Sequence, residues 1–511
     1  MIAVKCKIGA ADEEADAPHP SHAAPLSSAD VTAQARRGVL SLVGRQAVLF
    51  PVGFVSGIIL ARLLSASEFG TYATVSFMVM GAGVLLEVGL GAIVIQQAED
   101  PTPRQLRSIF TAQLLLFGFA ALALALVAPW LAAAFHLPPD GTWLVRAMSL
   151  HMLLGTLGTN STLLLERRLG FDVFARIDIA NVLLDRGLTL LLAFLHFGAW
   201  SFVLGSLAAM TVRVVMLGFA APWAVGFALD REVLRKALRF GLTLQATNLT
   251  ALARDNLNVV LGGGFFGPRA VGLLNWGNNL PVTCSHNLVM IVARVSFPAF
   301  ARLHDDPPAR ARLLESSLRA LNLASYPALL ALIPLGPNVV TFLYGETWRP
   351  ALFALNCFVV RALCTNVTSA VMGYLNATDR AGRALRIAMV WTGLEVIAAA
   401  ALLPFYGFNG IALGYAVGPI VPTLWLLWEV RREAPMRYGR VFGVPLLAGG
   451  AAALAGFASS GAITTLAAFI AQVILTAGAA LLVITLFERA LLQQAGTAIE
   501  RRLKLLLGGV D

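Results

Sequence analysis

The chain contains 511 residues, of which 58% are hydrophobic and only 13% are charged, and its formal net charge is +10 at pH 7. An average soluble domain carries about 25% charged residues. This composition, with a mean hydropathy of +0.76, therefore excludes a soluble protein and indicates a membrane protein. The four cysteines have none of the spacings typical of a metal site, a redox motif or a disulfide framework.

Apolar segments that are long enough to cross a bilayer follow one another along the chain. A helix needs about 20 predominantly apolar residues to span roughly 30 Å of hydrocarbon. We therefore expect an all-α polytopic membrane protein with about 14 transmembrane helices. The predicted spans are residues 38–61, 70–96, 106–134, 143–166, 176–197, 199–224, 237–262, 269–299, 317–345, 350–376, 382–405, 408–430, 441–460 and 462–489.

The basic residues between the spans predict the orientation, because cytoplasmic loops collect Arg and Lys. With the N-terminus inside, nearly all the loop arginines and lysines fall on the cytoplasmic side. The exceptions, which lie in outside loops, are Arg62, Arg146, Arg269 and Arg349. Since the number of spans is even, both termini are predicted to be cytoplasmic. The positive net charge is thus a topology signal, and we predict no nucleic-acid partner.

A short pattern recurs in the chain with an offset of 202 residues. Residues 63–72 and 265–274 both place two bulky apolar residues, a small residue, a short polar stretch and a glycine in register. Because the offset corresponds to six spans, it preserves orientation. We therefore expect two six-helix lobes related by a pseudo-two-fold axis along the membrane normal, as in transporters built from parallel repeats.

This repeat divides the chain into six predicted units. They are a disordered cytoplasmic tail (1–35), an N-lobe of spans 1–6 (36–224), a cytoplasmic linker (225–236), a C-lobe of spans 7–12 (237–430), two additional spans (431–489) and a second cytoplasmic tail (490–511). Prolines inside spans 1, 9 and 12 predict helix kinks. These prolines are Pro51, Pro327, Pro334, Pro419 and Pro422.

Arginine outnumbers acid inside the predicted spans. A charge at the centre of a membrane helix costs about 2.5–3.5 kcal/mol, so these residues should face one another or a water-filled cavity. Because a guanidinium binds phosphate with two parallel hydrogen bonds, an excess of arginine favours an anionic substrate. The interior arginines are Arg45, Arg186, Arg213, Arg254, Arg294 and Arg361, and the interior acids are Glu87, Asp185, Asp255 and Glu395.

Span 7 is predicted to lie at the centre of its lobe, because polar side chains occupy two of its faces. On a continuous helix Arg254 and Asn258 share one face, and Asn248 and Asp255 lie on the other. We predict substrate binding by Arg254, Arg361, Arg294, Arg45, Asn248, Asn258, Asn275 and Asn279, and coupling or gating by Glu87, Asp255 and Asp185. The alternative is that these side chains only form interhelical hydrogen bonds and structural ion pairs.

Several segments resemble a known family. Residues 60–72 read LARLLSASEFGTY and residues 85–92 read LLEVGLGA, and further similar stretches are residues 266–272, 275–281, 342–348 and 373–377. Together they resemble the Wzx-type polysaccharide and O-antigen flippases, which are polysaccharide transporters of the multidrug/oligosaccharidyl-lipid/polysaccharide exporter superfamily. The similarity covers residues 38–440 and is greatest for the exopolysaccharide (colanic acid-type) branch.

The resemblance implies a V-shaped pair of lobes around an electropositive cavity that opens alternately to the two sides of the bacterial inner membrane. The implied cargo is an oligosaccharide repeat unit linked to polyprenyl pyrophosphate, for exopolysaccharide, O-antigen, lipopolysaccharide or capsule biosynthesis. Lipid-linked substrate and membrane lipid are the implied partners, with a polymerase and a chain-length regulator of the same pathway as candidates.

Two other functions remain open. A multidrug or cation antiporter of the same superfamily is the main alternative, although it would prefer an acid-dominated cavity. A membrane-embedded polysaccharide polymerase or glycosyltransferase is the enzyme alternative. Because no catalytic constellation or metal-ligand spacing stands out in the sequence, we predict no enzymatic activity, no cofactor and no metal.

Overall fold

The computed structural model describes residues 28–86, 101–168, 170–230, 249–303, 306–378 and 380–488. Within these ranges all regular secondary structure is helical and no residue lies in a strand, which confirms the all-α prediction. The helices of the N-half are α1 (Ser28–Leu63), α2 (Ala66–Leu86), α3 (Pro103–Ala134), α4 (Gly141–Arg167), α5 (Phe171–Phe194) and α6 (Trp200–Ala220).

The C-half contains the remaining helices. They are α7 (Leu257–Phe266), α8 (Pro268–Arg302), α9 (Pro307–Val339), α10 (Leu352–Ala377), α11 (Ala381–Tyr406), α12 (Phe408–Val417), α13 (Ile420–Val430), α14 (Val444–Ser459) and α15 (Leu466–Phe487). Residues 249–255, before α7, are also helical. A π-helical turn (Val340–Tyr344) and a 3₁₀ turn (Glu346–Ala351) join α9 to α10.

Local sequence signals set several of the helix ends. Thr102 and Gln105 form a capping box at the start of α3, and the side chains of Asp306 and Thr465 cap α9 and α15. The turns before α8 and α12 centre on Gly267 and Gly407, whose φ angles of +76° and +57° are accessible to glycine at little cost.

Ten segments of the described chain are long and apolar enough to cross a membrane, so the protein is a multi-pass membrane protein. Helices α4, α5 and α8 are also long enough, but they are more polar. Helices α5 and α8 carry charged and amide side chains, some of which line the cavity described below. The total of fourteen spans remains a prediction.

One predicted helix end differs from the structure, and one predicted kink lies where the structure breaks a helix. Helix α1 begins at Ser28, so residues 28–35 continue the helix instead of belonging to a disordered tail. Alanine and glutamine in this stretch are good helix formers, which accounts for the extension. Span 12 is divided into α12 and α13 at Gly418 and Pro419, where proline cannot donate the helical hydrogen bond.

Helices α2 and α8 cross closely enough for their backbones to touch. A Cβ atom on Gly70 would lie 1.6 Å from the carbonyl oxygen of Pro268, and one on Gly272 would lie 1.8 Å from the carbonyl oxygen of Ala66. Pro268 and Gly272 follow Ala66 and Gly70 by 202 residues each. The two contacts are therefore equivalent, as a two-fold axis between the helices requires. This crossing supports the predicted division into two lobes.

Further contacts between the halves gather at the same end of the helices. The Arg62 guanidinium donates hydrogen bonds to the carbonyl oxygens of Leu343 (2.7 Å) and Phe342 (2.5 Å). The indole N–H of Trp348, which is completely buried, donates to the carbonyl oxygen of Ala61 at 2.9 Å. We call this end, where α1 turns into α2 and α7 turns into α8, the closed end.

We expect Gly272→Ala to destabilise the protein, because its methyl group would overlap the backbone of α2. Overpacking of this kind costs about 1–3 kcal/mol or more. The measurement is the thermal unfolding midpoint of the purified protein. The matched control is Gly393→Ala in α11, where an added Cβ meets nothing within 4 Å. Equal midpoints for the two variants would contradict a close crossing at Gly272.

Candidate functional site

A cavity of about 460 Å³ lies between the two halves, next to the closed end. Its walls come from α1, α2, α5, α6 and α8 and from the π-helical turn that ends at Tyr344. This volume falls within the range of about 300–1,000 Å³ that is usual for small-molecule sites. Seven aromatic side chains contribute to the wall: Phe50, Phe54, Phe69, Tyr72, Phe202, Trp276 and Tyr344.

Small residues on α1 leave room for this cavity. A Cβ atom on Gly53 or Gly57 would meet nothing within 4 Å, although both glycines lie in the wall. The opposite wall is one face of α8, where Asn275, Asn279 and Thr283 follow one another at helical spacing. The structure thus places two of the predicted amides, Asn275 and Asn279, in the same cavity.

Arg186 is the only charged residue among the described residues that line the cavity. Its Nε atom lies 3.5 Å from Oδ2 of Asp185, and its side chain is 39% exposed. A single exposed contact of this length is weak, so the guanidinium retains most of its donors for a ligand. The sequence marks Arg186 only as one of six interior arginines. Its place in the cavity depends on the rotation of α5, which no local pattern reveals.

Arg45 belongs to a separate ion cluster inside the N-half. Its Nη1 atom lies 2.5 Å from Oδ2 of Asp178, and Nη2 of Arg213 lies 3.6 Å from Oδ1 of the same carboxylate. One acid thus bridges arginines on α1 and α6. Sequence reasoning missed Asp178 because it placed this residue at the edge of a span that began at 176. Helix α5 begins at Phe171, which puts Asp178 two turns inside it.

In the C-half a tyrosine hydroxyl interrupts the predicted continuous helix of span 7. The Tyr415 hydroxyl donates to the carbonyl oxygen of Arg254 at 2.9 Å and accepts from the backbone N–H of Asn258 at 3.2 Å. These two backbone groups would otherwise bond to each other, so the side chain replaces one helical hydrogen bond. The helix breaks at Asn256. The prediction of a continuous helix through Arg254 and Asn258 is therefore wrong.

Asn258, which follows this break, forms a hydrogen bond with the side-chain amide of Asn275 in the cavity wall. Its Nδ2 donates to Oδ1 of Asn275 at 2.5 Å. This contact uses the carbonyl oxygen of Asn275 and leaves the NH₂ group of Asn275 available to the cavity. Asn258 is thus a positioning residue, since it is buried and does not line the cavity itself.

Two arginines and two acids form a connected cluster in the C-half. Arg254 donates to both carboxylate oxygens of Asp255, at 3.0 and 3.2 Å. Arg361 donates to Asp255 at 3.3 Å and to Glu395 at 3.2 Å. The Glu395 side chain is fully buried, whereas that of Asp255 is 51% exposed. The cluster is therefore neutral in formal charge and open to solvent at one side.

Aromatic rings cover the two arginines of this cluster. The guanidinium of Arg254 lies 4.6 Å from the ring centroid of Trp391, and that of Arg361 lies 4.3 Å from that of Tyr415. The Trp391 indole also donates to Glu395 at 2.9 Å. Such contacts stabilise buried cations. Direct substrate binding by Arg254 and Arg361 remains a prediction, and both side chains already have structural partners.

The remaining candidates lie apart from this cluster. Arg294 is exposed on α8 and forms no hydrogen bond or ion pair with another residue of the described chain. Asp185 lies beside Arg186 but does not line the cavity. Asn248 and Glu87 lie outside the described residues.

The C-half also contains an apolar groove. It measures about 430 Å³ and is formed by α9, α14 and α15, with Cys284 of α8 contributing to its wall. Leu323, Leu335 and Leu481 are among its lining residues. The two C-terminal helices, α14 and α15, thus add an apolar surface beside the bundle.

We expect Tyr415→Phe to lower the thermal unfolding midpoint. The change removes the two hydrogen bonds that the hydroxyl forms with Arg254 C=O and Asn258 N–H, and each such bond contributes about 0.5–1.5 kcal/mol. Tyr406→Phe, which removes the hydroxyl from an exposed tyrosine of α11, is the matched control. If both variants unfold at the wild-type temperature, the hydroxyl does not hold this break.

We expect Arg361→Ala to lower the amount of folded protein, because it leaves the Glu395 carboxylate buried without a counter-charge. Removing one partner of a buried ion pair costs about 3–5 kcal/mol. Adding Glu395→Gln should restore part of the loss, since the uncompensated charge is then gone. The measurement is monodisperse protein recovered by fluorescence-detected size-exclusion chromatography. A double variant that is no better than Arg361→Ala would contradict this pairing.

Comparisons with known proteins place the chain in a family. A family model described as "Polysaccharide biosynthesis protein" matches residues 59–352, which is more than half of the chain. The lipopolysaccharide biosynthesis protein WzxC of Escherichia coli (strain K12) is 25% identical over 382 residues, which cover 74% of this chain and 77% of that protein. The succinoglycan biosynthesis transport protein ExoT of Rhizobium meliloti (strain 1021) is 25% identical over 386 residues, covering 75% and 76%.

The fold is similar to that of a solved flippase. The structure described as lipid II flippase MurJ in an inward closed conformation superposes with a TM-score of 0.72 at 13% identity, covering 89% of this chain and 99% of that one. At this identity the likeness shows the shared fold. These findings confirm the resemblance drawn from residues 60–72 and 85–92 and the segments that follow them. The chain belongs to the polysaccharide biosynthesis protein family.

Proposed function

We propose that this protein flips polyprenyl-pyrophosphate-linked oligosaccharide repeat units across the bacterial inner membrane by alternating access. The products of the pathway would be exopolysaccharide, O-antigen or capsule. The observation that carries this proposal is the cavity between the two halves, whose described lining combines Arg186 with amides and aromatic rings and includes no acid. The names of WzxC and ExoT, which refer to lipopolysaccharide biosynthesis and succinoglycan transport, support the same cargo class.

The chemistry of the cargo matches the parts of this site. A pyrophosphate would lose its water of hydration in hydrocarbon, which is costly. A guanidinium can replace that water with charge-assisted hydrogen bonds. Arg186 lies in the cavity wall, and the exposed Arg294 lies further along α8. The glycan would occupy the cavity. The polyprenyl chain would remain in lipid or lie along the apolar groove of α9, α14 and α15.

The predicted topology indicates which side of the membrane the closed end would face. The turn at Arg62 belongs to an outside loop in the charge pattern, so the closed end would face the periplasm. The cavity would then load from the cytoplasmic side, where the repeat units are made, with both termini of the chain on that side. Opening would require Arg62 and Trp348 to release their carbonyl partners on the other half.

Two of the predicted coupling residues, Asp255 and Asp185, lie beside arginines. Asp255 is half exposed beside two arginines, and Asp185 lies beside Arg186. A substrate anion that competed for these arginines would change the environment of both carboxylates. We retain Asp255, Asp185 and Glu87 as coupling candidates. A polymerase and a chain-length regulator of the same pathway are the expected protein partners.

A multidrug or cation antiporter is disfavoured by the lining of the cavity. A carboxylate in the wall would favour a cationic drug, and the described lining offers Arg186 instead. A polymerase or glycosyltransferase would act on the lipid-linked repeat units without moving them. A deletion strain separates these functions, because loss of a flippase leaves single repeat units on the cytoplasmic side.

We expect Arg186→Ala to reduce surface polysaccharide at least about tenfold in a complemented deletion strain, because charge-assisted hydrogen bonds contribute about 1.5–3 kcal/mol. Arg186→Lys should retain part of the activity, since it keeps the charge and loses the bidentate geometry. Lipid-linked repeat units should accumulate at the same time, which is measured by mass spectrometry of lipid extracts. The matched control is Arg104→Ala, at an exposed arginine of α3.

Normal polysaccharide with Arg186→Ala at wild-type protein level would remove Arg186 from the substrate site. A changed drug susceptibility of the deletion strain, with unchanged polysaccharide, would favour the antiporter. Accumulation of repeat units on the periplasmic side would favour a polymerase.

A further inference from the structure

A segment without regular secondary structure follows α6 and lies against the first turns of α3. We call it the strap (residues 221–230). The carbonyl oxygen of Ala224 accepts a hydrogen bond from Nε of Arg107 at 3.1 Å. Two backbone N–H groups of the strap donate to the hydroxyls of Ser108 and Thr111, at 2.9 and 3.1 Å. The backbone of the strap is thus bound to side chains of α3.

The strap covers a face of α3 that is directed to the bilayer further along the helix. Leu115 and Phe119 follow Ser108 and Thr111 at helical spacing, and they are 60% and 71% exposed. Ser108 and Thr111 themselves are buried. Because none of the described residues of α3 lines the cavity between the halves, these exposed apolar side chains face lipid. The strap therefore lies on the lipid-facing side of the N-half.

The outward side of the strap is apolar. Val225, Phe227 and Leu229 are 70%, 75% and 59% exposed. They occupy alternate positions, as in an extended segment whose successive side chains point to opposite sides. These three side chains continue the apolar stripe of Leu115 and Phe119 toward the start of α3.

The backbone of the strap indicates its depth in the membrane. The N–H groups of residues 223–227 form no hydrogen bond with another residue of the described chain. Hydrocarbon offers them no partner, so the strap belongs in the layer of lipid headgroups, where phosphate oxygens and water can accept. Because the strap includes the first part of the predicted cytoplasmic linker (225–236), this layer belongs to the cytoplasmic leaflet in the predicted topology.

Arg107 supplies a cation at this position. Its Nε donates to Ala224, but its two Nη groups have no partner among the described residues and are not buried. The backbone of the strap lies close to the guanidinium, because a Cβ atom on Gly226 would lie only 2.9 Å from Nε of Arg107. Basic residues also outnumber acids in the sequence that follows. Within 230–239 the acids are Asp230 and Glu232, and the basic residues are Arg231, Arg235, Lys236 and Arg239.

Free guanidinium donors, free backbone N–H groups and exposed apolar side chains match one kind of partner. A phospholipid brings a phosphate that accepts hydrogen bonds together with acyl chains that contact apolar side chains, and surplus basic charge favours an anionic headgroup. A soluble protein would have to displace lipid from the same surface. We propose that the strap and Arg107 bind an anionic phospholipid of the cytoplasmic leaflet. Arg107 contacts its phosphate, and Val225, Phe227 and Leu229 lie among acyl chains.

This lipid site is separate from the cargo site. The strap leads from the N-half into the linker, so a lipid bound here anchors the N-half at the point where the chain continues to the C-half. The inference does not depend on the proposed function, and its test uses no cargo.

The test measures lipid binding to the full-length protein in detergent. Native mass spectrometry resolves the protein with one bound lipid and gives dissociation constants for phosphatidylglycerol and phosphatidylcholine with the same acyl chains. Arg107→Ala removes the guanidinium, whereas Gly226→Ala keeps it and displaces it by the added methyl group. The matched controls are Arg386→Ala, at an exposed arginine of α11, and Gly218→Ala in α6, where a Cβ meets nothing within 4 Å.

The wild type should bind phosphatidylglycerol more tightly than phosphatidylcholine. Arg107→Ala should weaken phosphatidylglycerol binding about fivefold, the effect of one arginine at an anionic membrane surface. Gly226→Ala should weaken it in the same direction, and the double variant should match Arg107→Ala because both changes act on one guanidinium. Both controls should bind as the wild type does.

A second measurement locates the strap in the membrane. A spin label is attached to Phe227→Cys in a full-length chain whose native cysteines are replaced by alanine, and the protein is placed in lipid nanodiscs. The label should be more accessible to oxygen than to a water-soluble nickel complex. A label at Phe119→Cys is the reference for hydrocarbon.

Each contrary result overturns the inference. Equal binding of the two lipids, or equal phosphatidylglycerol binding by Arg107→Ala and Arg386→Ala, would show that the strap does not select an anionic headgroup. Displacement of phosphatidylglycerol by inorganic phosphate would assign the site to a soluble phosphate. A label at position 227 that is more accessible to the nickel complex would place the strap in water, as a surface for a soluble partner.

Discussion

Hydrocarbon offers no hydrogen bonds, and this constraint governs the interior of the protein. Each polar group placed between the helices needs a partner from the protein or from a water-filled space. Asp178 meets this need for two arginines, and Glu395 receives hydrogen bonds from Arg361 and Trp391. The Tyr415 hydroxyl does the same for two backbone groups that a break in the helix separates. These groups stabilise the interior of each half.

The same constraint divides the interior arginines by role. Arg45, Arg213, Arg254 and Arg361 contact carboxylates, so their first contribution is to the packing of each half. Arg186 has one weak contact and lies in the cavity wall. A solvent-accessible guanidinium with free donors is the group that an anionic cargo would meet. Fewer of the interior arginines than the sequence count indicates are therefore available to an anionic ligand.

The two halves pack closely at the closed end and leave a cavity next to it. Gly70 and Gly272 bring two backbones into contact, and Arg62 and Trp348 add hydrogen bonds across the same junction. On α1, Gly53 and Gly57 have no side chains and leave the cavity open. Glycine thus serves two opposite purposes within a short distance, close approach in one place and free volume in the other. A cavity closed at one end by separable contacts suits alternating access.

The sequence by itself determined the all-α membrane architecture, the family and the 202-residue offset between similar segments, because hydropathy, loop charge and local motifs are properties of single segments. It also selected Asn275 and Asn279, which line the cavity. It missed Asp178 and did not select Arg186, and it treated span 7 as one continuous helix. Only the tertiary structure decided these points, since ion pairing and cavity lining depend on the rotation of each helix and on partners far apart in the chain, as with Tyr415 and Asn258.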